Sequence, residues 1–273
     1  MELTSPFDFA IKETRQPAKY RFSICTLVTN KEEYTQMVNS FIAAGFTTAD
    51  CEFRYIDNST ENNFDAYGGL NQFLLNAHGD YVILCHQDIL LDFDKRAELE
   101  QQIAEMHKID NNWGILSNAG GLENDLYQRA AINVAYPDGF HQIVGVLPAK
   151  VASVDENFIV VKRSANLALS GNLSGFHLYG TDLCLVAELL GFSAYVINFK
   201  VIHKSYGTPN ESYYALLKQL IDKYVKFMRS RHILTTIADF YLSPSGMRTT
   251  LFETKLFKKV ARKITKVRKY KKW

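Results

Sequence analysis

Tyr81-Val82-Ile83-Leu84-Cys85, followed by His86-Gln87-Asp88, is the stretch that decides the fold of this 273-residue chain. Five apolar residues without a polar break have the length of a strand and the pattern of one covered on both faces, as in the parallel sheets of α/β proteins. The next three residues are polar. In open α/β sheets ligands bind beyond the carboxyl ends of the strands, so His86, Gln87 and Asp88 stand where a ligand belongs. Residues i and i+2 of an extended chain point the same way, which lets the His86 imidazole and the Asp88 carboxylate address one ion or one phosphate. A solvated strand end with Asp88 as a turn former is the alternative.

The flanking segments continue the pattern. Upstream, Arg21 to Val28 reads as a buried strand. Asn30, with Glu33 three residues on, resembles a capping box opening a helix that Gly45 closes. Glu52 to Ile56 is a second strand ending at Asp57-Asn58-Ser59, and Phe64 to Ala77 has helical spacing. Downstream, a helix is predicted from about Asp94 to His107 and a strand from Trp113 to Ser117. This alternation predicts an α/β fold with a doubly wound, mostly parallel sheet flanked by helices. Its strand ends collect Thr29-Asn30, Asp57-Asn58-Ser59, His86-Gln87-Asp88 and Asn118-Ala119-Gly120-Gly121.

Residues 137–150 read as loop or hairpin, Asn157 to Lys162 as a strand, Thr181 to Leu190 as a helix, and Ala194 to Val201 as a strand leading into His203. Helical patterns run from Pro209 to about Tyr241, and Ser243-Pro244-Ser245-Gly246 forms a hinge. A composition of 47% hydrophobic and 22% charged residues is that of a globular protein. The four cysteines are dispersed without a C-x-x-C pair, and three of them, Cys25, Cys85 and Cys184, lie in apolar runs and read as small buried residues, which points to a reducing compartment. The first residues include Glu2 and Asp8 and read as no signal peptide, and no apolar run reaches the roughly 18 residues of a membrane span. The expected location is cytoplasmic.

The formal net charge of +2 conceals an asymmetry: residues 255–273 hold ten Lys or Arg and no acid, which leaves 21 basic against 29 acidic residues, −8, in the remainder. Phe252, just before that segment, and Leu256, Val260, Ile264, Val267 and Tyr270 within it recur at three- and four-residue spacing, the pattern of a basic amphipathic helix suited to an anionic membrane surface. Nucleic acid and the acidic body of the protein are the rival partners, with nucleic acid disfavoured. An NAD enzyme is disfavoured as well, because no G-x-G-x-x-G follows the first strand.

Taken in order, these segments resemble the family 2-like glycosyltransferases with the GT-A fold, over roughly residues 21–207. The resemblance is carried by Thr26-Leu27-Val28-Thr29-Asn30, Asp57-Asn58-Ser59, Tyr67-Gly68-Gly69-Leu70-Asn71, His86-Gln87-Asp88 in the place of the family's D-x-D motif, Phe176 to Leu185 around Asp182, and Val201 to Gly207 around His203. It implies a nucleotide-sugar donor, a UDP-sugar, contacted by Thr26, Thr29, Asp57, Asn58, Asn71, His86 and Gln87. It further implies Mn²⁺ or Mg²⁺ on Asp88 and His203 with His86, and Asp182 as the catalytic base of an inverting transfer. Asp155-Glu156 offers a carboxylate that could share or take that role. The acceptor would be a glycan or a lipid-linked sugar in cell-surface polysaccharide synthesis, with the enzyme peripheral on the cytoplasmic membrane face. The corresponding layout is an N-terminal extension (1–20), the transferase domain (21–207), a helical extension (208–246) and the basic amphipathic tail (247–273). The alternatives are a non-catalytic nucleotide-sugar or glycan-binding module, with His86 marking a lost metal, and a membrane-attached scaffold.

Overall fold

The computed structural model describes residues 5–12, 17–123, 127–207, 210–237, 239–254, 257 and 259. A short helix α1 (Pro6–Phe9) precedes β1 (Tyr20–Val28), α2 (Lys31–Ala43), β2 (Cys51–Asp57), α3 (Ala66–Asn76) and β3 (Gly79–Cys85). There follow β4 (Ile89–Leu90), α4 (Arg96–Ile109), β5 (Trp113–Ser117), β6 (Ala119–Gly121), β7 (Ala130–Ala135) and β8 (His141–Val144). The next elements are β9 (Ala149–Val151), β10 (Ser153–Val154), β11 (Phe158–Lys162), α5 (Tyr179–Leu189), β12 (Ser193–Val196) and β13 (Val201–His203). The last are α6 (Glu211–Met228), β14 (Arg231–Leu234), β15 (Asp239–Leu242) and α7 (Gly246–Glu253). The chain divides into two compact units, Met1–Leu216 and Leu217–Trp273.

In the first unit a seven-stranded sheet runs β2-β1-β3-β11-β5-β12-β9. β1 is parallel to both β2 and β3, and β5 is parallel to β12. Between these halves β11 lies antiparallel to β3 and to β5. The core packs helices onto this sheet. Met37 and Phe41 of α2 and Leu99, Ile103 and Met106 of α4 join Phe22, Ile24, Phe46, Trp113 and Phe158 in one buried cluster. Each fully buried side chain of this size contributes on the order of 1.5–3 kcal/mol by leaving water. The four cysteines are free and buried, Cys25, Cys85 and Cys184 as their apolar contexts imply, and Cys51 as well.

A second sheet, β10-β6-β7-β13-β4, positions the site. β4 starts directly after Asp88 and pairs antiparallel with β13, with Ile89 opposite His203. Two histidines that lie far apart in the sequence thus meet beside one carboxylate. This arrangement corrects the single strand expected from Ala194 to Val201. The chain leaves the first sheet after Val196 because side chains capture the next amides: Asn198 N–H donates to Gln102 Oε1 at 3.2 Å and Lys200 N–H to Asp94 Oδ2 at 2.6 Å. It then enters the second sheet at Val201.

In the second unit the helix expected to reach Tyr241 stops at Met228. Arg231–Leu234 and Asp239–Leu242 instead form the antiparallel pair β14-β15, with His232 opposite Tyr241. Hydrogen bonding between the Ser230 and Ser243 hydroxyls at 2.9 Å closes the base of that hairpin. Phe252 of α7 stacks on Tyr241 at 4.3 Å, so the first residue of the proposed amphipathic stripe packs within this unit. Leu256, Val260, Ile264, Val267 and Tyr270 lie outside the described residues. Among the described residues no helix is long and apolar enough to cross a membrane.

Candidate active site

β3 ends at Cys85, and His86-Gln87-Asp88 turns the chain into β4. Asp88 is nearly buried and meets two imidazoles: His203 Nε2 lies 3.5 Å and His86 Nδ1 3.9 Å from its Oδ1. Ser205 Oγ donates to Asp88 Oδ2 at 2.7 Å, and the Lys204 N–H donates to the Asp88 carbonyl at 3.1 Å. One ligand atom from each of His86, Asp88 and His203 falls within 4.8 Å of the others. Burial alone would raise the Asp88 carboxyl. Hydrogen bonds to His203 and Ser205 and the charges of His203 and His86 outweigh it, and hold the group well below the usual carboxylate range. Burial and the neighbouring His203 lower the basicity of His86, against the pull of Asp88 and Asp155. Two imidazoles converging on a carboxylate are a donor set that fits a divalent ion of the Mn²⁺ kind. Mg²⁺ would be served mainly by the oxygens.

Gln87, between His86 and Asp88, reaches across to β1 and α2. Its Oε1 accepts from the N–H groups of Thr29 and Asn30 at 2.8 and 2.9 Å, and its Nε2 donates to Thr29 Oγ1 at 2.9 Å and Glu33 Oε2 at 3.1 Å. The expected capping box is therefore half present. Asn30 Oδ1 accepts from the amides of Glu32 and Glu33, but the Asn30 N–H and the Glu33 carboxylate go to Gln87.

Two cavities meet at His86. The first, of about 300 Å³, has an apolar floor including Leu27, Leu70, Leu84 and Phe176, with Thr29, Asn58, Gln87 and Asp88 at its polar edge. The second, of about 500 Å³, is lined by His203, Ser205, Asp155, Glu156, Tyr136 and His177 among others. Tyr179 borders the first cavity, its hydroxyl 2.9 Å from His86 Nε2.

Several residues implied by the resemblance are engaged elsewhere. Asp182 is fully buried and lines neither cavity. Its carboxylate accepts from the Ser170 N–H at 2.8 Å and from Ser170 Oγ at 2.7 Å, so it ties a loop to α5. Thr26 is fully buried within β1, with its hydroxyl 3.5 Å from Cys85 Sγ. Asn71 accepts from the Leu169 N–H at 2.7 Å and donates to its carbonyl at 3.1 Å. Asp57 forms a surface ion pair with Lys31 at 2.8 Å and accepts from the amide and hydroxyl of Ser59. These partners, Lys31 first, hold its carboxyl well below the ordinary range. Asn58 borders the first cavity while its side chain braces Phe64 in both directions.

The carboxylates in the second cavity are Asp155 and Glu156. Glu156 Oε1 accepts from the Gly180 N–H at 3.2 Å. Burial raises its carboxyl to about 8. The Gly180 amide opposes the rise and the neighbouring Asp155 adds to it. Tyr179 and Ser205 were not singled out by sequence reasoning. Each lies within two or three residues of a motif residue, and only folding reveals that their hydroxyls reach the histidines.

No family model matches the chain. The protein described as ATP synthase subunits region ORF 6, from Fuscovulum blasticum, is 32% identical over 213 residues, which is 77% of this chain and 86% of that protein. Among solved structures, residues 1–349 of S. aureus TarS, in complex with UDP-GlcNAc, superpose with a TM-score of 0.51 at 12% identity, covering 75% of this chain and 66% of that one. The mannosyltransferase PcManGT from Pyrobaculum calidifontis, in complex with GDP-Man and Mn²⁺, gives a TM-score of 0.48 at 13% identity, covering 81% and 69%. The chain thus spans just under two thirds of the TarS chain with which it shares a fold. By its architecture it is a GT-A-type α/β protein, and by its sequence it belongs to the same family as the ATP synthase subunits region ORF 6 protein of Fuscovulum blasticum.

Proposed function

We propose that the chain is a metal-dependent, inverting glycosyltransferase that moves a sugar from a nucleotide-sugar donor, a UDP-sugar, to a hydroxyl of a glycan or lipid-linked acceptor. The observation that carries this reading is the convergence of His86, Asp88 and His203 at the carboxyl end of β3, where two cavities adjoin. The general tendency of open α/β sheets to bind ligands beyond the carboxyl ends of their strands supports this reading.

His86, Asp88 and His203 would hold the ion. When bound, it supplies Lewis-acid neutralisation of the charge that develops on the leaving diphosphate. The first cavity suits the nucleotide, with apolar faces for the base and Thr29 and Asn58 at its polar edge. The second suits the acceptor. There Glu156 takes the role that the resemblance assigns to Asp182, because it borders the space an acceptor hydroxyl would occupy. The acceptor oxygen forms a bond to the anomeric carbon while the bond from that carbon to the diphosphate oxygen breaks. The acceptor's proton passes to the Glu156 carboxylate. A carboxyl raised to about 8 is a stronger base than an ordinary one and is poised near the working pH. Asp155, exposed at the same cavity, is one of the neighbours that raise the Glu156 carboxyl.

Glu156→Gln should lose transfer by about 10²-fold or more, the usual size of general-base catalysis, while donor binding persists. Asp182→Asn should lose stability and keep transfer in whatever fraction folds. Steady-state transfer with folding-corrected concentrations checks both. Full activity in Glu156→Gln together with collapse in folded Asp182→Asn would return the base role to Asp182. The basic tail, residues 250–273, would bring this site to the cytoplasmic face of an anionic membrane, where lipid-linked acceptors of surface polysaccharide are found.

A further inference from the structure

Tyr179 opens α5 directly after Leu178, whose backbone is left-handed at φ 60°. That turn brings the tyrosine ring against the site, where its hydroxyl makes two contacts. It lies 2.9 Å from His86 Nε2, and it donates to the Glu156 carbonyl oxygen at 3.2 Å. A tyrosine hydroxyl has one hydrogen to give. With that hydrogen on the Glu156 carbonyl, the oxygen can offer His86 only a lone pair. The hydrogen of the His86–Tyr179 contact must then come from Nε2. A neutral imidazole protonated at Nε2 carries its free lone pair on Nδ1, and Nδ1 is the nitrogen facing the Asp88 carboxylate.

We propose that Tyr179 is the positioning residue of the metal centre: by passing its hydrogen to the Glu156 carbonyl, it locks His86 in the Nε2–H tautomer and presents Nδ1 as a ligand atom beside Asp88 and His203. The inference rests on reading these three residues as a metal centre. It bears on whether His86 records a lost metal, since a ring held in this tautomer is held for coordination. The same contact joins the metal centre to the segment carrying Glu156. Metal-binding histidines commonly have their second nitrogen fixed in this way, and loss of the outer partner weakens metal affinity about 10–100-fold.

Two readouts test it. The first needs no variant: long-range ¹⁵N–¹H correlation spectra of the metal-free, full-length protein near pH 8, above the usual histidine range. The His86 signal is assigned by its loss in His86→Gln. Hydrogen on Nε2 is expected, and hydrogen on Nδ1 would overturn the proposal. The second is titration with Mn²⁺ alone, followed by electron paramagnetic resonance, in the wild type and in Tyr179→Phe. The expected result is an affinity about 10–100-fold weaker in the variant, together with a mixture of His86 tautomers. A folded Tyr179→Phe that binds Mn²⁺ as tightly as the wild type overturns the role of the tyrosine and leaves the metal centre standing. A wild type that binds no Mn²⁺ removes the metal reading itself, and the inference with it.

Discussion

Glu156 sits half-buried at the second cavity, where burial raises its carboxyl. Its carboxyl titrates near 8 in the folded chain, against about 4.3 when unfolded. A folded value above the unfolded one means that the group favours the native state while protonated. The contribution is intact below about pH 4.3 and is lost as the pH rises towards 8. Glu156→Gln, which cannot ionise, should therefore gain on the wild type as pH increases. A relative gain of about 2–4 kcal/mol between pH 5 and pH 9 is expected once partial exposure is allowed for. Urea denaturation at the two pH values measures it, and a difference independent of pH would contradict the assignment. At this scale the convergence of His86, Asp88 and His203 was legible in the sequence, because polar residues directly after apolar strands collect at one end of the sheet. It did not show where the side chains of Thr26 and Asp182 go. Both lie beside site residues in the chain, but the alternation of a strand and the rotation of a helix turn their side chains into the protein. There Cys85 and Ser170 take up their polar groups.

Among the elements, one side chain bridges β1, α2 and the β3-β4 turn. Gln87 joins the Thr29 and Asn30 amides to the Glu33 carboxylate through hydrogen bonds on both ends of its amide. Gln87→Glu would keep the accepting oxygen but set a second carboxylate against Glu33. The variant should be destabilised by about 1–3 kcal/mol at neutral pH and should recover part of that loss near pH 4, as the carboxylates protonate. Thermal melts across that range check it, and equal loss at both ends would rule out the charge conflict. Strands β1, β2, β3 and β5 and helices α2 to α5 were legible from periodicity and caps to within a few residues. The break between β12 and β13 was not. Tyr195 to Val201 is apolar enough for one strand, and only the tertiary capture of two amides by Asp94 and Gln102 diverts it. The β14-β15 pair was hidden for a related reason: its residues alternate too briefly to stand out from the helix before them.

At the scale of the whole molecule, the body and the tail carry opposite charge. Residues 1–254 have a formal net charge of −8, while the ten Lys and Arg of residues 255–273 face no acid within that segment. Deletion of residues 247–273 should release the protein from liposomes containing anionic lipid and leave transfer to a soluble acceptor intact. Undiminished liposome binding would refute the membrane role. The central claim, however, concerns the body: a nucleotide and a divalent ion occupying one site at His86, Asp88 and His203. Thermal unfolding with UDP and Mn²⁺, separately and together, in the wild type and in Asp88→Asn tests it most directly. The pair should stabilise the wild type well beyond the sum of the two alone, by about 5 °C at concentrations near 100 times the dissociation constant. Asp88→Asn should abolish that surplus. A wild type that shows no Mn²⁺-dependent shift with UDP, nor with GDP or dTDP in its place, would contradict the account.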